Sequence, residues 1–177
     1  MWGAGRLIRT VKFRKFWPRN CVIFNLLMTN EAIHSRDYIK SIDFEYIETY
    51  SFQQEAYYSE TNRDTGEISW YKQRITDSDK KLNLSSKKIS SFQCNDDVLT
   101  LVRILKIDIV NLPSWMCPPI YRDAIIFYNK KREIVSALNI CFECLYMETE
   151  KQININADER TYELLKSFLN SKGHRIR

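Results

Sequence analysis

The spacing of apolar and polar positions is clearest in the second half of the chain. Ala124-Ile125-Ile126-Phe127-Tyr128 and the run Ile134 to Phe142 are separated by the polar stretch Asn129-Lys130-Lys131-Arg132-Glu133, which predicts a pair of strands joined by a loop. On the second run Ile134, Ser136, Leu138, Ile140 and Phe142 share one face, and Val135, Ala137, Asn139, Cys141 and Glu143 share the other. The first of these reads as a core face. Upstream, Ile39 to Phe52 is rich in Ile, Phe, Tyr and Thr, with Ile42, Phe44 and Tyr46 alternating, which predicts a strand whose other face, with Asp43 and Glu45, is solvated. Tyr57-Tyr58-Ser59-Glu60 and Glu67-Ile68-Ser69-Trp70-Tyr71 flank Asn62-Arg63-Asp64-Thr65-Gly66, whose turn chemistry predicts a hairpin.

Helical spacing occurs twice. Asn95 or Asp96 can cap a helix with Val98, Leu101, Val102 and Leu105 on its apolar side, and Asn156 or Asp158 can cap a second with Tyr162, Leu165, Phe168 and Leu169, stopped by Gly173 at a C′ position. Between Leu82 and Phe92 the pattern is mixed: Leu82 and Leu84 read as extended and Ser85-Ser86-Lys87-Lys88 as the opening of a helical turn. Ile107, Ile109 and Leu112 can extend the chain beyond the first helix, and the stretch from Asn111 to Pro119 reads as a loop inside one domain. Together these segments predict an α+β domain over residues 29–177, an antiparallel sheet of four or five strands with one or two helices packed on it.

Composition narrows the class. An apolar fraction of 44% with 28% charged residues excludes a wholly disordered, fibrous or membrane-spanning chain. Four glycines, none in a G-x-x-x-x-G-K-[ST] or G-x-G-x-x-G arrangement, argue against a phosphate cradle. The formal charge of +5 is unevenly placed. Arg6, Arg9, Lys12, Arg14, Lys15 and Arg19 lie in residues 1–28 without a single acid, leaving 21 of the 27 bases against all 22 acids in the remainder. The body is therefore close to neutral, and 1–28 is a basic arm in which Trp2, Phe13, Phe16 and Trp17 are interleaved. Such an arm suits an anionic membrane surface or a nucleic acid, with bases for phosphate and aromatics for stacking. It also reads as an ordinary first strand or a loosely structured extension. Its apolar run from Cys21 to Met28 is interrupted by Asn25 and followed by no A-x-A site, so a cytoplasmic location is expected ahead of export or membrane association through the leader.

Candidate chemistry centres on five cysteines, Cys21, Cys94, Cys117, Cys141 and Cys144. Their odd number and wide spacing argue against a disulfide scaffold. Cys141 and Cys144 form the only C-x-x-C, and a loop lying over the end of the strand can bring Cys117 beside them, which makes the three a candidate zinc or redox set. Buried structural thiols, with no cofactor, are the simpler expectation. His34 and His174 lie at the periphery of the predicted elements, so a nucleophile–histidine centre requires distant segments to meet. No H-E-x-x-H, G-x-S-x-G or EF-hand pattern occurs.

The segment Cys117-Pro118-Pro119-Ile120-Tyr121-Arg122-Asp123-Ala124-Ile125-Ile126-Phe127-Tyr128, followed by Leu138-Asn139-Ile140-Cys141-Phe142-Glu143-Cys144, resembles a pattern in uncharacterised small bacterial proteins, in which a Cys, a Pro and an Arg precede a hairpin ending in I-C-F-x-C. The likeness extends through the closing helix from Thr161 to Phe168 and implies the same element order, without an activity to carry over. Arg122 is a candidate anion-binding residue, with an ion pair or loop contact as the alternative. Tyr57, Tyr58, Trp70 and Tyr71 are candidate contacts to a protein partner, or cross-strand packing pairs. The expectation is an interaction module, immunity- or inhibitor-like in size, rather than an enzyme, with a thiol protein as the alternative.

Overall fold

A computed structural model of the chain describes residues 32–53, 58–61, 64–66, 68–71, 74–93, 96–114 and 116–177. The order is β1 (Ile33–His34), α1 (Ser35–Ser41), β2 (Tyr46–Ser51), β3 (Tyr58–Thr61), β4 (Ile68–Tyr71), β5 (Lys87–Gln93), α2 (Asp96–Leu105), β6 (Asp123–Tyr128), β7 (Ile134–Cys141), β8 (Tyr146–Thr149), β9 (Asn154–Asn156) and α3 (Glu159–Ser171). Seven strands form one sheet in the order β1-β9-β8-β7-β6-β2-β5, antiparallel throughout except for the edge pair β1 and β9. β3 and β4 form the expected hairpin, which stands apart as a two-stranded sheet of its own.

The α+β class is as expected, but the sheet is larger than four or five strands and is mixed rather than purely antiparallel. The additional strands are short: β1, β8 and β9 have 2, 4 and 3 residues, too few for alternation to show in sequence. Ser85-Ser86-Lys87-Lys88 does not open a helix. Ser86 instead closes a turn on Asn83, and β5 begins at Lys87. The run from Ile39 to Phe52 is not one strand either, because Tyr38 and Ile39 are buried from the short helix α1 before β2 starts.

The helices cover one face of the sheet. Ile47, Phe92, Ile125, Phe127, Leu138, Ile140, Met147 and Ile155 meet Leu101, Leu105, Tyr162, Leu165, Phe168 and Leu169 in the main core. Register explains the match: Ile47 stands between Phe92 and Phe127, and Ile125 opposite Leu138. The other face is covered as well, by the segment that follows β4. Ile75 and Leu82 pack on Ala124, Ile126, Tyr128 and Ala137, and Asn139 fixes that segment by accepting from Ile75 N and Thr76 N at 3.2 Å each. With both faces covered, all six positions of β6 are buried.

A bulge near the start of β7 alters the face assignment read from alternation. Phe127 pairs with Ser136 but Tyr128 with Ile134, so Ile134 packs on the second face and not with Leu138 and Ile140. Lys80 braces the bulge, donating from Nζ to the carbonyls of Ile134 and Val135 at 2.9 and 3.0 Å.

Candidate functional site at the end of strands β6 and β7

The start of β6, the end of β7, the end of β2 and the C-terminal tail converge at one end of the sheet. The tail reaches it through the stop of α3. Gly173, at φ +102°, donates to Asn170 O, and His174 N donates to Leu169 O, a pair of bonds that closes the helix and turns the chain back toward the sheet. His174, expected at the periphery, is instead inside the fold with its side chain fully enclosed. Its Nδ1 lies 2.6 Å from Asp123 Oδ1 and its Nε2 lies 2.9 Å from Thr49 Oγ1, which in turn is 2.7 Å from Ser90 Oγ. In the neutral ring, one polarity satisfies every member: Ser90 donates to Thr49, Thr49 to Nε2, and Nδ1–H to the Asp123 carboxylate. A carboxylate, an imidazole and a hydroxyl in line resemble a hydrolytic relay. Thr49, however, has no exposed surface, so the alcohol cannot meet a substrate, and the chain of bonds acts as a buried tie between β2, β5, β6 and the tail.

Sequence reasoning overlooked this tie because Thr49 and His174 are 125 residues apart. The signal that could have found it is Gly173, one residue before a histidine, since a C′ glycine redirects the chain.

On the opposite face at this end of the sheet are the cysteines. Cys117 and Cys144 form a disulfide with a Cα–Cα separation of 6.2 Å, and Cys141 is a buried free thiol in the same cluster, with Tyr121 and Tyr146. Cys141 Sγ accepts from Ile120 N at 3.3 Å, and Pro118 O lies 3.7 Å from Cys144 Sγ. The loop thus does lie over the strand end. The wide spacing argues against a disulfide scaffold, and among the described residues there is a single bridge. Cystine sulfurs are not thiolate donors, so in this state only Cys141 retains a ligand for zinc, and among the described residues no group of three or more His, Cys, Asp or Glu is placed to hold a metal. Cys21 and Cys94 lie outside the described residues.

Beneath the cysteines, Tyr121 OH donates to Glu148 Oε2 at 2.8 Å, and Arg74 pairs with Glu148 Oε1 while its guanidinium stands over the Tyr121 ring. Burial, and then the Glu148 carboxylate that it serves, push the Tyr121 phenol well above its ordinary pKa. It therefore remains a donor, and the buried carboxylate is satisfied.

Between the tie and the disulfide opens a cleft of about 390 Å³ whose walls include Ser51, Arg122, Phe142, Glu143, Arg175 and Arg177. Arg122 pairs through Nη1 with Glu143, the ion pair weighed against an anion-binding role, yet its Nε is buried without an acceptor among the described residues. Gln53, on the cleft wall, holds left-handed backbone at φ +61°.

The loop between α2 and β6 leaves this site with apolar side chains turned outward. Val110 and Met116 are fully exposed at 93% and 103%, and Leu112 is half exposed. Asp158 holds one end of the loop, accepting from Val110 N at 2.8 Å and Asn111 N at 2.7 Å while also capping α3 through Arg160 N. The disulfide holds the other end.

Of the partner-contact candidates, Tyr57 lies outside the described residues; Tyr58 stands in register with Tyr71, and Trp70 with Ser59, on the separate hairpin. The basic residues Arg6, Arg9, Lys12, Arg14, Lys15 and Arg19 also lie outside them. Among the described residues no helix is long and apolar enough to cross a membrane. No protein-family model, no curated protein and no solved structure matches the chain.

Proposed function

We propose that the domain is a protein-interaction module that presents the loop of residues 106–120 to an apolar groove on its partner. The observation that carries the reading is the pairing of exposed Val110, Leu112 and Met116 with anchors at both ends of their loop, Asp158 at one and the Cys117–Cys144 bond at the other. Exposed apolar side chains on a free loop lose entropy on docking, and pre-ordering the loop lowers that cost. Isolated surface apolar residues are common, but three on one loop held at two points suit contact with an apolar groove.

The test compares the full chain with the triple variant Val110→Asp/Leu112→Asp/Met116→Asp as baits in quantitative affinity purification. Loss of about tenfold or more of a partner retained by the wild type is expected, equivalent to about 1.4 kcal/mol, with the thermal midpoint unchanged. Equal retention by both baits would refute the assignment.

A second reading, thiol exchange, is favoured by the meeting of Cys117, Cys141 and Cys144 in one cluster. In this reading the Cys141 thiolate attacks Cys144 Sγ, a Cys141–Cys144 bond forms, the Cys117 bond breaks, and Cys117 leaves as thiolate and takes up the proton lost by Cys141. Peptide mapping under acid quench distinguishes it: a detectable Cys141–Cys144 population supports exchange, and a fixed Cys117–Cys144 linkage refutes it.

A further inference from the structure

The cleft between the buried histidine tie and the disulfide has a composition that the interaction reading leaves unused. Three arginines, Arg122, Arg175 and Arg177, line it from two separate parts of the chain. Asp123, also on the wall, is 5% exposed and bonded to His174, which leaves Glu143 as the one acid there without such an internal partner. Glu143 holds Arg122 from a position that is itself 58% exposed. A carboxylate so exposed is displaced at low cost, because a solvent-facing pair is worth about 1 kcal/mol or less.

The remaining donors have no equivalent partner. Arg122 Nε is buried and unsatisfied, and Arg175 makes no ion pair among the described residues. Lys166 Nζ donates to the main-chain oxygen of Arg177. The floor is apolar: Ile120 and Phe142 come from the segments joined by the Cys117–Cys144 bond, and Ile176 comes from the tail. The planar guanidinium of Arg122 pairs with a phosphate or carboxylate as it does with Glu143, and the apolar residues of the lining favour a ligand with a nonpolar body behind that headgroup.

We propose that this cleft binds a small amphiphilic anion, a phosphate or carboxylate headgroup on an aromatic or short aliphatic body. The headgroup takes the place of Glu143 on Arg122 and draws in Arg175, and the body rests on Ile120, Phe142 and Ile176. Glu143 thereby acts as an internal stand-in for the ligand's charge, which distinguishes this arrangement from a structural ion pair: removing Glu143 strengthens binding in the first and has no such effect in the second.

Titration of the full chain with phenyl phosphate, benzoate and benzyl alcohol, followed by NMR shifts of the Ile120, Phe142 and Ile176 methyl and ring signals, tests the site. At least one of the two anions saturates these shifts, the neutral alcohol does not, and whichever anion binds identifies the headgroup. Arg122→Gln/Arg175→Gln weakens that binding by about tenfold or more, as expected for the loss of charge-assisted bonds, and Glu143→Gln tightens it several-fold. Absence of saturation with both anions, equal binding of benzyl alcohol, or an unchanged affinity in Glu143→Gln would overturn the proposal. None of these outcomes depends on Val110, Leu112 or Met116, so the two proposals stand or fall separately.

Discussion

The position of one glycine decides where the only buried histidine among the described residues goes. At φ +102° Gly173 adopts backbone that other L-residues rarely reach, while a Cβ added there would meet Ile89 Cγ2 at an ordinary 3.5 Å, so the constraint is torsional rather than steric. Gly173→Ala is therefore expected to destabilise the fold by about 1–2 kcal/mol. The measurement is a urea denaturation curve of the variant beside the wild type. Asp158 is a second residue on which two parts depend. Bonds from Asn111 N, Val110 N and Arg160 N hold its carboxyl below the usual carboxylate range. Because its folded pKa is depressed, its contribution is present above the unfolded value of about 3.9 and is lost as pH falls through the folded value. Asp158→Asn should flatten the acid side of the stability curve below about pH 4 while leaving its shape near neutrality unchanged. An acid limb identical to the wild type would assign the acid sensitivity to other carboxylates.

At the scale of elements, the long connection from α2 to β6 is ordered by its two anchors rather than by secondary structure. The Cys117–Cys144 bond closes a separation of 27 residues, for which chain entropy gives about 3.5 kcal/mol as a ceiling. Reduction by dithiothreitol, or Cys117→Ser, should lower the thermal midpoint, and Cys141→Ser should leave the shift on reduction intact. If reduction has no effect on the wild type, the bond does not hold the loop in solution. What could be read from the chain before its structure follows from element length. β6, β7, α2 and α3 carry enough residues for a period to be counted, whereas β1, β8 and β9 owe their existence to neighbours already in place, and the Ile134 face assignment failed at a bulge that alternation cannot encode. The cysteine set was legible because a proline-rich loop and a C-x-x-C sat at opposite ends of one hairpin. The Arg122 cleft was legible only in part, since Arg175 and Arg177 arrive through the turn at Gly173.

At the scale of the molecule, the basic charge is concentrated in one stretch of the chain. Residues 1–28 carry six bases and no acid, whereas residues 29–177 carry 21 bases and 22 acids. Because the edge strand β5 carries exposed Lys87 and Lys88 and the other edge is only two residues long, the sheet has little capacity to recruit further strands. Removing residues 1–27 takes away all six of those bases and is expected to abolish salt-sensitive association with oligonucleotides or anionic vesicles if the full chain shows any, because the rest of the chain is close to neutral. Fluorescence anisotropy with a labelled single strand, read at low and at moderate salt for both chains, measures this directly. Equal binding by the truncated chain would move the polyanion site into the body, and the Arg122, Arg175 and Arg177 cleft would then be the first place to look for it.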